Sequence, residues 1–393
     1  VSSAALNDMN DMNDLSKNQD DELAAVRHEA QRLLREQVDA PRLEALLDVP
    51  GSFDRALWQL VAGQGWPAVA LGEDQGGAGL GWAGLAVLQE ELGHANVALP
   101  LAASALTLAH WQAGSDSRAT TPHAVWADGL RDGSTTACLA LPALGAGLLV
   151  DGHGVQCAGG RLTGCISTVA FGAVADLALV AARDEGGRDG LWLLALGGAE
   201  QAPGVTREVV ATIDDARGVA TLRLAGAPAV RVGDRAALAL LLDRAATLCA
   251  FEQLGGARAS LALAIDHAQQ RIAFGQPIAR FQAIKHKLVE IYAAIEIARG
   301  CALNALAWLD DGVDAIERHE AAAAARLAAN HAHELAARDC INVFGALGVT
   351  REAAPHRHYR RARALALELG SSALWRESLI DNFLARQAIA PTA

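Results

Sequence analysis

Among the six cysteines of this 393-residue chain, at 138, 157, 165, 249, 301 and 340, there is no CxxC pair and no zinc-finger spacing. That excludes a thioredoxin-like redox motif and the common structural zinc sites. Scattered mostly among apolar neighbours, these cysteines read as reduced core thiols, which points to a cytoplasmic protein. There is also no run of about 18 apolar residues free of charges and breakers, so no membrane span is expected. The opening stretch VSSAALNDMNDMNDLSKNQDD lacks the basic and apolar regions of a secretory signal. Its polar repeat holds the only two methionines, Met9 and Met12, and reads as a disordered leader over 1–20. Positive charge is in deficit: 33 Lys and Arg against 45 Asp and Glu leave a net charge of −12. Nucleic acid and anionic membrane are therefore not expected partners, and an anionic ligand would have to be held by local arginines. Neither a GxSxG elbow nor a P-loop occurs, which removes the simplest hydrolase and NTPase readings.

What the chain does contain is alanine- and leucine-rich helical pattern in two blocks, with a β-like block between them. From 21 to about 130, segments such as DELAAVRHEAQRLLREQV and WAGLAVLQEELGHA place apolar residues at helical spacing. From 131 to 233, short runs such as TACLAL, ADLALVAAR and VATLRLAG are split by glycine and aspartate. They read as a small antiparallel β domain, because the spacing is too short for helical crossovers. From 234 to 393 the pattern is helical again, in long segments at 236–272, 279–311, 314–345 and 371–387. The expected fold is α+β: an N-terminal helical domain, a middle β domain and a C-terminal antiparallel four-helix bundle.

Several motifs weaken on inspection. GLGWAG (79–84) matches GxGxxG, but the acidic residues that follow, Glu90 and Glu91, fall inside the next helix and no βαβ unit follows. His331 and His333, near Glu334 and Asp339, lie two apart on a helix and point about 200° apart, so they cannot share a metal. His356 and His358 sit in a basic segment that would oppose one. All four read as solvated or capping histidines. The RHYRRAR cluster (357–363) is either a solvated face or an anchor for phosphate, whose oxygens arginine forks match in pairs. RIAFGQPIARFQAIKH (271–286) is more pointed. Arg271 ends a helix, Gly275 suits its C-cap and Pro277 stops continuation. With Phe274, Phe281 and Gln282 this segment could present a stacking surface and an anion fork to a nucleotide.

RIAFGQPIARFQAIKHKL (271–288) resembles the acyl-CoA dehydrogenase pattern R-x-x-F-G-x-P-I-x-x-F-Q-x-x-K. Similar likenesses run through GWPAVALGEDQGGAGLG…LQEELG (65–93), RLTGCISTVAFGAVADLALVAAR (161–183) and NVFGALGVTREAAPHRHYRRARAL (342–365). The resemblance covers about residues 21–385 in the family's order. It implies an FAD-dependent enzyme of lipid metabolism that removes an α proton and a β hydride from an acyl-CoA thioester. A glutamate takes the proton, the flavin takes the hydride, and electrons pass on to an electron-transfer flavoprotein. It also implies a homo- or hetero-oligomer, expected as a tetramer.

Carried over position by position, the resemblance makes Arg271 the contact to the FAD pyrophosphate of a neighbouring subunit, with Phe274, Phe281 and Gln282 beside the same FAD. Asn342 stands for the family's glutamine; Gly345 is kept, and Ala346 replaces a second glycine. The flavin-ring segment T-E-P…G-S-D has become LALPALGAG (139–147), and another flavin contact falls on Thr168 and Ala170. The family's late glutamate aligns with Leu369, beside Glu368. A one-residue shift in a helix turns a side chain by about 100°, so Glu368 would need a local change to serve as base. The alternative base position, ahead of the first bundle helix, falls near Ala245. Glu252 in CAFEQLGG is a further candidate, either as base or as a satisfied structural glutamate. Two readings follow: a working subunit with Glu252 or Glu368 as base, or a non-catalytic partner that completes another chain's FAD site. The second resembles the paired-chain dehydrogenases of bulky CoA esters.

Overall fold

The computed structural model describes residues 3–113, 123–141, 154–197, 202–310 and 312–389. Its first helix, α1 (Ser3–Gln37), takes in the stretch expected as a disordered leader. Residues 1–38 contain no glycine or proline, so nothing in the sequence breaks the helix earlier. Then come α2 (Ala40–Glu44), α3 (Arg55–Gly63), α4 (Gly81–His94), α5 (Leu101–Ala113) and α6 (His123–Asp132). A 3-10 turn at Glu73–Gln75, rather than a strand, precedes α4, so GLGWAG lacks the context of a dinucleotide site. α4 is buried along Gly84–Gly93 and packs on the bundle's first helix.

The middle domain consists of β1 (Ala137–Ala140), β2 (Gln156–Ala158), β3 (Arg161–Val169), β4 (Leu177–Asp184), β5 (Asp189–Ala195), β6 (Val205–Val209) and β7 (Ala220–Gly233). β4 pairs with β1 and β2 along one edge and β5 along the other; the pairings run β4–β2–β3–β7–β5 and return to β4. The sheet is not wholly antiparallel as expected: β1 and β2 both run parallel to β4. The short spacing does exclude helical crossovers, but β3 itself supplies the return from β2 to β4. Alternation along β4 and β5 explains how the domain docks. Ala178, Val180, Trp192 and Leu194 point into the β core, while Leu177, Leu179, Leu191 and Leu193 join the helical core.

Among the described residues the C-terminal domain has five helices, α7 (Arg235–Gln270), α8 (Gln282–Leu306), α9 (Ala315–Phe344), α10 (Pro355–Leu367) and α11 (Ser372–Ile389). α10 occupies the basic segment that the sequence reading left outside its four helices. Asp234 and Asp314 cap α7 and α9 by accepting backbone N–H groups at 2.9–3.0 Å. α7 and α9 run parallel, joined by Arg318–Asp243 at 2.9 Å and Gln253–Asn330 at 3.1 Å. α8 returns between them, with Lys287 3.1 Å from Asp339. α7 is the central helix, and two glycines let it approach α4. A Cβ on Gly93 would fall 1.9 Å from the Glu252 carbonyl oxygen, and one on Gly255 would fall 1.9 Å from that of Glu90.

Candidate functional site

A cavity of about 310 Å³ opens where α5, the ends of β1 and β3, α7 and the α10–α11 corner meet. Ala245, Cys249 and Glu252 reach it from one face of α7, at i, i+4 and i+7. Ala245 lies inside α7, not ahead of it as the sequence reading placed it. Leu139, Leu141, Thr168 and Ala170 form much of the middle-domain wall; residues 142–147 of the altered flavin-ring segment lie outside the described residues. Five non-glycine residues among those described have left-handed backbone, and three of them line this cavity: Thr168 (φ 53°), Phe171 (φ 60°) and Leu369 (φ 60°). Such strain persists only where surrounding structure fixes it, and it concentrates at functional sites.

The cavity's charge is organised by Arg217, which the sequence reading did not single out. It ends a buried 3-10 turn, Asp215–Arg217, whose carbonyl accepts the Phe171 N–H at 2.7 Å. Its guanidinium lies 5.2 Å from the centroid of the Phe171 ring. From there Nη1 donates to Glu252 Oε1 at 3.0 Å and Nη2 to Glu368 Oε2 at 2.6 Å. Arg361 adds a contact to Glu252 Oε1 at 3.4 Å while also donating to Asp214 and to the Val97 carbonyl. Burial opposes charge on Arg217, but Glu368, Glu252 and Asp214 override it and raise its pKa. Burial likewise pushes the Cys249 thiol up to about 12, so it is no nucleophile at neutral pH.

One guanidinium thus joins the two candidate bases. Glu252 has the ion-pair partners of a satisfied structural glutamate and still reaches the cavity. For Glu368 the helical-rotation objection falls away. α10 ends at Leu367, Glu368 is its extended C-cap (φ −65°, ψ 138°), and Leu369 turns left-handed. Adjacent residues at such a corner are not held 100° apart, so both line the cavity.

The cofactor candidates gather elsewhere, at the end of the bundle where α7 and α9 finish and α8 begins. Gly275 does not cap α7; Arg271 does, and its N–H donates to the His267 carbonyl at 2.8 Å. The Gly-Gln-Pro break is a two-stranded ribbon, β8 (Ile272–Ala273) against β9 (Gln276–Pro277). Phe274 (φ 51°) and Gly275 (φ 80°) form its turn, both left-handed as a tight two-residue hairpin requires. Phe274 is 95% exposed, with only the Phe281 ring edge-on at 6.1 Å. Arg271 and Gln282 are also exposed. His267 stacks on Phe344 at 4.0 Å, drawing in Asn342, which donates to Asp339 at 3.2 Å, and Gly345, which caps α9 at φ 66°. Nineteen residues of α7 at 1.5 Å each put Arg271 about 28 Å along the helix from Glu252.

The arginine cluster is neither a solvated face nor a phosphate anchor. Arg357 donates to Glu44 at 2.5 Å, Arg361 reaches Asp214, and Arg363 reaches Glu334, so α10 is tied to three other elements. The histidine reading also changes. His333 and His358 are buried, neither solvated nor capping, and burial lowers both pKa values, that of His333 to about 3. Among the described residues no cluster suits a metal ion.

The family model for the acyl-CoA dehydrogenase C-terminal domain matches residues 233–384, and that for the N-terminal domain matches residues 20–118. Acyl-CoA dehydrogenase FadE27 of Mycobacterium tuberculosis is 30% identical over 340 residues, 81% of this chain and 86% of the relative. The chain belongs to the acyl-CoA dehydrogenase family. Acyl-CoA dehydrogenase IpdE2 of the same organism is 29% identical over 81% of this chain and 84% of its own. Among solved structures, a variant of the Tcur3481-Tcur3483 steroid ACAD superposes with a TM-score of 0.84. It is 27% identical, over 94% of this chain and 99% of that one. Members of the family use FAD. No helix among the described residues is long and apolar enough to cross a membrane.

Proposed function

We propose that this chain is one subunit of a paired-chain, FAD-dependent acyl-CoA dehydrogenase, and that its α7–α8 hairpin completes the FAD site of a neighbouring chain. The observation that carries this reading is the hairpin itself. Arg271, Phe274 and Gln282 are exposed, and Arg271 lies about 28 Å along α7 from Glu252 of the cavity. A 95% exposed phenylalanine at the hairpin tip offers apolar surface for a partner to cover. An arginine fork beside exposed aromatics fits a pyrophosphate and a stacked ring. Arg271, Phe274, Phe281 and Gln282 would hold the cofactor, with Asn342 and Gly345 at its far end. Bound there, FAD would supply the acceptor for the β hydride and the route of electrons to an electron-transfer flavoprotein. The name of the Tcur3481-Tcur3483 neighbour, a pair of chains, is consistent with such an assembly. We place the assembly, expected as a tetramer, in the cytoplasm.

In this reading the cavity receives the acyl part of a CoA thioester. A second reading makes the chain catalytic in its own right, with Glu252 or Glu368 as base; the presence of both carboxylates on one cavity favours it. The two are separated by purifying the chain alone. The first expects a colourless, inactive protein that acquires flavin when a second dehydrogenase chain is added. One FAD per lone chain, reduced by an acyl-CoA, would establish the second instead. Glu252→Gln and Glu368→Gln then identify the base by loss of turnover.

A further inference from the structure

Among the described residues the cavity has three charged lining residues, Arg217, Glu252 and Glu368, and its wall is otherwise mostly apolar. One cation against two anions leaves it a net negative charge. The cation is engaged by both anions: Nη1 donates to Glu252 and Nη2 to Glu368, while Nε is buried without a hydrogen-bond partner. An incoming anion would have to compete with both glutamates for this guanidinium. Each glutamate is held through a single oxygen, Oε1 of Glu252 and Oε2 of Glu368. The second oxygen of each is available as an acceptor.

Arg361 and Asp214 stand behind Glu252 as a further ion pair and do not alter the balance; Cys249 on α7 is neutral. The backbone reinforces the arrangement. Arg217 is fixed to the Phe171 loop, and Glu368 to the corner at Leu369 and Gly370 (φ 94°). The acceptor pair is therefore pre-positioned rather than free to turn away.

We infer that Arg217 is the specificity-determining clamp of this cavity. It presents Glu252 and Glu368 as a paired acceptor for an apolar acyl group that carries a hydroxyl, and it excludes acyl groups ending in a carboxylate. The inference rests on the reading that the cavity takes the acyl part of a CoA thioester. A hydroxyl gains a charge-assisted hydrogen bond there, whereas a carboxylate meets like charge in a confined apolar space.

The test uses the full chain, alone or in its complex, and two CoA thioesters of equal size, a cyclohexane-carboxylic acyl group bearing either a hydroxyl or a carboxylate at the far ring carbon. Calorimetry is expected to show the hydroxylated thioester binding at least tenfold more tightly. In Glu252→Gln/Glu368→Gln, Arg217 loses both partners and the preference should reverse toward the carboxylate. Should the double variant not fold, Glu368→Gln, whose side chain is 29% exposed, should still narrow the ratio severalfold. Equal binding of the two thioesters by the native chain, or an unchanged ratio in the variants, overturns the clamp while leaving the acyl cavity standing. Binding of neither overturns both the clamp and the acyl cavity, whatever the flavin content of the complex.

Discussion

At the scale of single residues, Arg217 is where stability and site chemistry coincide. Its side chain is 6% exposed and closes two ion pairs, so Arg217→Met leaves two carboxylates without their shared cation. Removing one partner of a buried pair costs about 3–5 kcal/mol, and urea denaturation should show a loss of that order. A loss below about 1 kcal/mol would mean the carboxylates are solvated rather than clamped. His333 and His358 make the opposite kind of prediction. Their folded pKa values lie below the unfolded value near 6.5, so the native state binds fewer protons than the unfolded one. Their stabilising effect is complete above pH 6.5 and is lost as pH falls below it, for His333 down to about 3, with a slope of up to about 1.4 kcal/mol per pH unit for each histidine. Urea titrations at pH 7 and pH 5 measure it, and His333→Leu should flatten the slope. A sequence can show that two histidines cannot share a metal. It does not show that His333 is buried, because that depends on Gly256, where a Cβ would lie 2.4 Å from His333 Nε2.

At the scale of elements, most of the long helices were legible in the sequence because apolar spacing is local, but α10 and the start of α1 were not; Asp234 and Asp314 cap α7 and α9. What was not legible depends on contacts distant in sequence. The parallel pairings of β4 with β1 and β2 follow from which strands meet, not from their spacing. Glu252 and Glu368 were both singled out, but their common partner, Arg217 in IDDAR, lies upstream of both and carries no motif. The α4–α7 contact is equally non-local. Gly255→Ala would drive a methyl group into the Glu90 carbonyl, with an expected cost of about 1–3 kcal/mol seen as a lowered thermal midpoint. The hairpin behaves differently. Phe274→Ala removes a side chain that is 95% exposed, so the lone chain's stability should change by less than about 0.5 kcal/mol. Any larger effect of that substitution belongs to the assembly, and flavin retention in the complex is where it should register.

At the scale of the whole molecule, two sets of residues implied by one family resemblance lie apart: the cavity in the middle of α7 and the hairpin at its end. The hairpin's Arg271, Phe274 and Gln282 are exposed, far along α7 from the cavity, which is why it reads as a contribution to a neighbour. The measurement that bears most directly on this is the FAD content of the reconstituted two-chain complex with Arg271→Ala placed in this chain alone. The proposal expects FAD to be lost or bound at least tenfold more weakly, while the complex still assembles and this chain's cavity is untouched. Full FAD occupancy with unchanged affinity would contradict it.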